Sequence, residues 1–282
     1  MAINGVYFKL KEPHDFSWLN ELGQVFCVFD QQDSGNICFG LSRGGKRQFV
    51  KYAGAITTQY TGEASQAIAR LMQARGVYSH LRHDTLITMT DAFSTADGYS
   101  LVFDWFDGET LHPHWAYPPP HKYTNPSSPF YRFRKLPADL RVAILKQIFS
   151  FHVHIEAHGY VAVDFYDGSI LYDFTSNKVM ICDIDYYQRK PFFNRMGRLW
   201  GSSRFMSPEE FVLGSPIDGK TNVFNMGATA FCLLGGQTDR SITTWEASES
   251  LFRIARKATS LDRDMRYSSV SEFYHEWTHA TN

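Results

Sequence analysis

The chain changes rhythm near its middle. From Leu22 to Ala53, short apolar and β-branched runs alternate with turn residues: QVFCVFD, the turn QQDSGN, ICFGLS, the turn GGK, and RQFVKYA. This pattern predicts three antiparallel strands in a meander. EASQAIARLMQARG then places Ala67, Ile68 and Leu71 at helical spacing, with Gly76 near its C-terminus. LITMTDAF and YSLVFDWF, parted by STADG, predict two further strands. ADLRVAILKQIFSFHVHIEAHG carries Val142, Leu145, Ile148 and Phe149 on one face of a long helix. A β-rich half therefore precedes an α-rich half, which predicts an α+β fold of two lobes, 1–105 and 106–282.

The stretch HGYVAVDFYDGSILYDFTSNKVMICDID reads as a hairpin. An apolar rise ends in Asp164, the strand ILYDF follows, TSNK turns, and the second strand, VMICDID, delivers Asp183. A hairpin returns its second strand to where the first began, so both carboxylates are expected at one edge of a cleft. Two carboxylates so placed can divide labour, one accepting a hydroxyl proton and the other holding a divalent cation on a phosphate chain. The bland alternative is a pair of solvated turn residues. One segment breaks the texture: Leu111 to Pro137, LHPHWAYPPPHKYTNPSSPFYRFRKLP. Its prolines and paired aromatics predict an ordered, inserted loop without regular helix.

Composition narrows the classes. The 282 residues are 44% hydrophobic and 20% charged, as expected of a packed globular chain rather than a disordered one. The net charge of -1, with no basic run, gives no support to nucleic-acid binding. No apolar run reaches the roughly 18 to 20 residues of a membrane span, MGATAFCLLGG reading as a buried helix. The N-terminal MAINGVYFKLKEPHD lacks the apolar core of a secretory signal. Cys27, Cys38, Cys182 and Cys232 are scattered, without metal-ligand spacing, and read as reduced thiols of a cytoplasmic protein. His152 and His154 read as packing histidines, because no third ligand stands at suitable spacing.

The order of elements, with specific residues, resembles the protein kinase fold over about Val25 to Trp277. FVKYAG resembles the third-strand lysine motif, which implies that Lys51 binds the α and β phosphates of ATP. LVFDWFDGETL resembles the connection between lobes, with Phe103 lining the back of the nucleotide pocket and the backbones of Asp104 and Phe106 meeting the adenine edge. Gly35 and Ile37 fall in and after the loop that would cover the nucleotide. Glu63 is the candidate helix carboxylate to pair with Lys51, or else an N-terminal capping or dipole residue. Asp164 falls at the catalytic aspartate, and Asp183 at the magnesium-binding one. GSSRFMSPEE resembles the end of the activation segment, with Ser202 near Asp164 and Glu209 paired to Arg266 from MRYSSVSEF. TNVFNMGATAF resembles the central helix of the second lobe.

The departures are as specific. The glycine-rich loop keeps only Gly35, with Asp30 and Gln32 at the earlier glycines, which implies a looser loop over the nucleotide. Ala162-Val163-Asp164 lacks the arginine that receives an activation-segment phosphate. Tyr166 stands at the catalytic-loop lysine, and Ser169 at the metal-binding asparagine. Asp183-Ile184-Asp185 replaces Asp-Phe-Gly, so Asp185 offers a second carboxylate to the metal. Asn222 replaces the aspartate that anchors the catalytic loop. The resemblance implies an ATP- and Mg2+-dependent transferase acting on Ser or Thr of a protein substrate. Two alternatives stay open: a nucleotide-binding interaction module without activity, and a small-molecule kinase of the aminoglycoside or choline kinase type, to which Asp185 points.

Overall fold

Strand and helix propensities separate along the chain, and so do the packed units. The structure, a computed structural model, describes residues 1–281. The chain divides into two compact units, Met1–Arg82 with Ile87–Asp107, and His83–Leu86 with Gly108–Asn282. It is a mixed α and β fold, sheet-rich in the first unit and helical in the second.

The first unit is a five-stranded antiparallel sheet. Its strands are β1 (Gln24–Phe29), β2 (Asn36–Arg43), β3 (Lys46–Ala53), β4 (Met89–Ser94) and β5 (Tyr99–Asp104), in the order β1-β2-β3-β5-β4. Alternation sorts the side chains onto two faces. Ile37, Phe39 and Leu41 of β2, Val50 and Tyr52 of β3 and Val102 of β5 form one core with Phe8, Phe16 and Leu19 from the N-terminal segment. Aromatic edges meet there, Phe16 lying 5.1 Å from Phe39 and 5.7 Å from Tyr52. The opposite face carries Lys51, which pairs in register with Cys38 and Leu101. Helix α1 (Ala64–His80) packs on that face through Tyr78, whose ring lies 4.8 Å from Phe103.

The second unit contains α2 (His121–Thr124), α3 (Pro129–Arg134), α4 (Ala138–Ala157), the hairpin β6 (Ile170–Asp173) and β7 (Lys178–Ile181), α5 (Gly219–Leu234), α6 (Glu249–Ala258) and α7 (Val270–His279). Helix α5 is buried on every side from Thr221 to Leu234, as an all-round apolar helix must be. Asp218 and Thr221 close its N-terminus as a capping box. Helix α4 packs against α7, the Phe149 ring lying 4.9 Å from Phe273 and 5.1 Å from Trp277.

The segment 111–137 corrects one expectation, because it forms α2 and α3 rather than a helix-free loop. Its prolines stand at helix entrances, Pro120 just before α2 and Pro129 in the first turn of α3, where the missing N–H costs nothing. No helix among the described residues is long and apolar enough to cross a membrane.

Candidate functional site

Two asparagines on one face of α5 hold the segment that carries Asp164. Asn222 accepts from the Ala162 N–H at 2.9 Å and donates to the Tyr160 carbonyl at 3.2 Å. Asn225, one turn on, donates to the Phe165 carbonyl at 3.0 Å. Fixed on either side, Asp164 adopts a left-handed backbone, φ 65°. The carboxamide of Asn222 thus supplies the anchoring acceptor without the charge that an aspartate would bring. A Cβ added to Gly201 would stand 3.6 Å from the Asp164 Cα, so the segment holding Ser202 runs past this residue.

Beyond the hairpin the backbone turns again. The expected second strand ends at Ile181 and does not itself deliver Asp183, whose φ of 54° is incompatible with an extended ladder. The Cys182 N–H donates to the Ser169 carbonyl at 2.9 Å, which ties the residue before Asp183 to the end of the Asp164 segment. Left-handed residues other than glycine cost about 1 to 3 kcal/mol each and cluster where function holds them. Here two carboxylates share the property. Both act on Tyr187: burial first, then negative charge from Cys182, Asp164 and Asp183, holds that phenol protonated well above its usual range. His152, pushed down to about 4 by burial, is neutral, donating to the Ile148 carbonyl at 2.7 Å and accepting from the Tyr187 hydroxyl at 3.2 Å. It is a packing histidine.

Ser169 lies at 0% exposure, and its hydroxyl oxygen makes no hydrogen bond among the described residues. An orphaned buried hydroxyl is costly, and a ligand that uses it removes the cost. Asp183 is exposed and Asp185 is buried. Among the described residues, no three His, Cys, Asp or Glu side chains gather as a closed metal site. Carboxylate and hydroxyl oxygens, the donor types of Asp183, Asp185 and Ser169, are those a hard cation such as magnesium takes.

Asp167 lies two residues before Ser169 and takes a structural part that sequence reasoning missed. Arg204 forks onto it, Nη1 to Oδ2 at 2.9 Å and Nη2 to Oδ1 at 2.8 Å, and Lys122 of α2 pairs with the same carboxylate. Both Lys122 and Asp167 are fully buried. Burial pushes the Asp167 carboxyl up, but the fork from Arg204 and the charge of Lys122 outweigh it and hold it at about 2. Lys122 also reaches His112 Nδ1 at 2.6 Å, and the Cys232 thiol, pushed up to about 12 chiefly by burial, lies 3.5 Å from Asp167. Lys122 shares its insert with Arg132, Arg134 and Lys135, so no sequence signal singled it out.

The remaining candidates lie in the first unit. Lys51 is buried on β3, on the face that carries Cys38, Leu101 and Phe103. Ile37 corrects an expectation: alternation puts its side chain in the core on the opposite face from Lys51. Glu63 is the exposed N-cap residue of α1 and makes no side-chain cap bond among the described residues, a position where the helix dipole favours negative charge. The Asp104 N–H donates to the Thr88 carbonyl at 3.0 Å, while the Phe106 N–H makes no hydrogen bond among the described residues.

The loop before β2 is fastened rather than loose. Asp30 accepts from the Lys9 N–H at 2.6 Å, Thr57 donates to the Gln32 carbonyl at 3.1 Å, and Arg70 of α1 donates to the Ser34 carbonyl. Gly35, with φ +80°, tolerates no side chain, since a Cβ would come within 2.8 Å of the Tyr60 ring and 2.9 Å of the Ala67 Cβ. Asp30 is thereby committed to the Lys9 backbone.

Glu209 and Arg266 form the expected buried pair, Nη1 to Oε1 at 2.7 Å and Nη2 to Oε2 at 3.1 Å, with Arg263 adding a contact at 2.8 Å. No protein-family model and no curated protein matches this chain.

Proposed function

We propose that the chain is an ATP- and magnesium-dependent phosphotransferase of bilobal, protein-kinase-like build, acting on a Ser or Thr hydroxyl of a protein. One observation carries the reading. Asp164 and Asp183 are both in left-handed backbone, Asp164 shortly before Ser169 and Asp183 just after Cys182, these two being joined by a backbone hydrogen bond, and the Ser169 hydroxyl is buried without a partner among the described residues. The strand order β1-β2-β3-β5-β4 with α1, the asparagine anchors on α5 and the Glu209–Arg266 pair support the same reading.

A triphosphate near several carboxylates is strongly disfavoured without a cation. The chemistry that a bound magnesium would supply here is neutralisation of the charge that develops on the transferred group. Asp183 supplies its charged oxygen ligand, and Ser169 or Asp185 a second oxygen. Asp164 orients the acceptor hydroxyl and takes its proton. Lys51 supplies the cation for the α and β phosphates, and the backbones of Asp104 and Phe106 recognise the base.

ATP should raise the melting temperature far more with magnesium than with a chelator, and Asp183→Ala should abolish the difference. Asp164→Asn should keep nucleotide affinity within a few-fold while transfer falls by roughly 10²-fold or more. Equal stabilisation under chelation removes the metal role. Binding of ATP with no transfer to any protein, or to the chain itself, replaces the reading with a nucleotide-binding interaction module. Transfer only to small alcohols or amines identifies a small-molecule kinase.

A further inference from the structure

Away from the carboxylates, the second unit has a cavity of about 800 Å³ at the C-terminal end of α6. Arg240, Arg256 and Lys257 line it, with the exposed Leu261 and Met265 at its rim and no carboxylate in its wall. None of the three cations makes an ion pair among the described residues. Asp239 accepts from the Ser241 N–H at 3.1 Å and Asp262 from the Asp264 N–H at 3.0 Å, while Glu272, which accepts from Ser268, is the one neighbouring acid whose charge is felt by Lys257.

Arg256 and Lys257 have a simple structural reason to be present, since cations in the last turn of α6 offset its dipole. Arg240 has none. It comes from a different segment and stacks over Phe224, with its guanidinium carbon 4.8 Å from the ring centroid. Among the described residues its Nε is buried without a hydrogen bond, and its one hydrogen bond is a long contact of 3.4 Å to the Arg204 carbonyl. Burial first, then repulsion from Arg256, pushes its pKa down to about 10, and no carboxylate offsets the push. A half-buried guanidinium facing two more cations is costly until an anion arrives.

We propose that this cavity is a binding site for an organic phosphate monoester, whose phosphate is held by Arg240, Arg256 and Lys257 and whose apolar body lies on Leu261 and Met265. Arginine donors match phosphate oxygens in forked geometry, and the cavity has room for more than a phosphate. The site is independent of the phosphotransferase reading.

Calorimetric titration of the full chain with phenyl phosphate should show one site per chain, weakened several-fold by a tenfold rise in ionic strength. Inorganic phosphate should bind more weakly, and benzyl alcohol not at all. The double variant Arg256→Gln/Lys257→Gln, confined to exposed positions, should fold normally and bind phenyl phosphate at least about tenfold more weakly. Lys51→Gln should bind it as the wild type does. A phosphotyrosine peptide that binds more tightly than phenyl phosphate identifies a phosphorylated protein as the source, and equal affinity identifies a small metabolite. No binding, unchanged affinity in the double variant, or loss in Lys51→Gln overturns the proposal.

Discussion

Among the described residues, the first unit buries one charged side chain, Lys51, whereas the second buries Lys122, Arg141, Asp167, Asp185, Glu209, Glu210 and Arg266. The first is held by apolar and aromatic packing, and its exposed ion pair, Arg47 with Asp107, lies at 44% and 59% exposure. The second uses charge as internal fastening. A buried charge is therefore informative in one unit and ordinary in the other. Lys51 stands out against its surroundings, while Asp167, the most thoroughly enclosed carboxylate, spends its oxygens on Arg204 and Lys122. In the second unit the more telling signs are unusual backbone and an orphaned hydroxyl, as at Asp164, Asp183 and Ser169.

The sharpest way to break this contrast is to remove one member of a fastening. Glu209→Ala should cost about 3 to 5 kcal/mol in chemical denaturation, because it leaves Arg266 buried without its carboxylate. Replacing both Glu209 and Arg266 with methionine should cost less than that single change. A double variant worse than the single one would mean the pair itself, not the stranded charge, holds the unit. In the first unit Phe39→Ala should cost a similar amount by leaving a cavity, and this loss should not respond to salt.

A pH titration sharpens the same point. Glu210, beside Glu209, is pushed up to about 7, by burial above all. The unfolded chain releases that proton near 4.5, so the contribution is fully present below this value and is lost as pH rises toward 7. The loss should be about 3 kcal/mol, and Glu210→Gln should flatten that part of the stability profile. An unchanged slope in the variant would place the titration elsewhere. The smallest effect belongs to the surface of the first unit: Arg47→Ala should change stability by less than about 1 kcal/mol, and less still at high salt.

What the sequence revealed follows the range of the forces involved. Strand alternation is local, so QVFCVFD, ICFGLS and RQFVKYA announced β1 to β3, and the same alternation sets Lys51 apart from Val50 and Tyr52. The role given to Ile37 failed on that rule, because its neighbour Cys38 is the residue on the Lys51 face. Asp183 was legible as a residue but not as a conformation, since VMICDID contains no glycine to signal a left-handed turn. Lys122 was hidden by distance, its partner Asp167 lying 45 residues on and Arg204 a further 37 beyond. No local pattern encodes a contact of that separation. Proline in 111–137 was read as a helix breaker, when its position at the entrance to each helix made it a helix starter.

The Lys122 contact also changes what the insert is. A surface loop can be severed and its pieces drift apart, but this one reaches inward and ends on a carboxylate with no solvent around it. A chain cut just after Lys122, at the exposed Pro126 and Ser127, should migrate as two fragments on a denaturing gel and as one particle under native conditions. The protein could then be made as two separately expressed pieces that reassemble, with the seam at the insert and Asp167 as the latch.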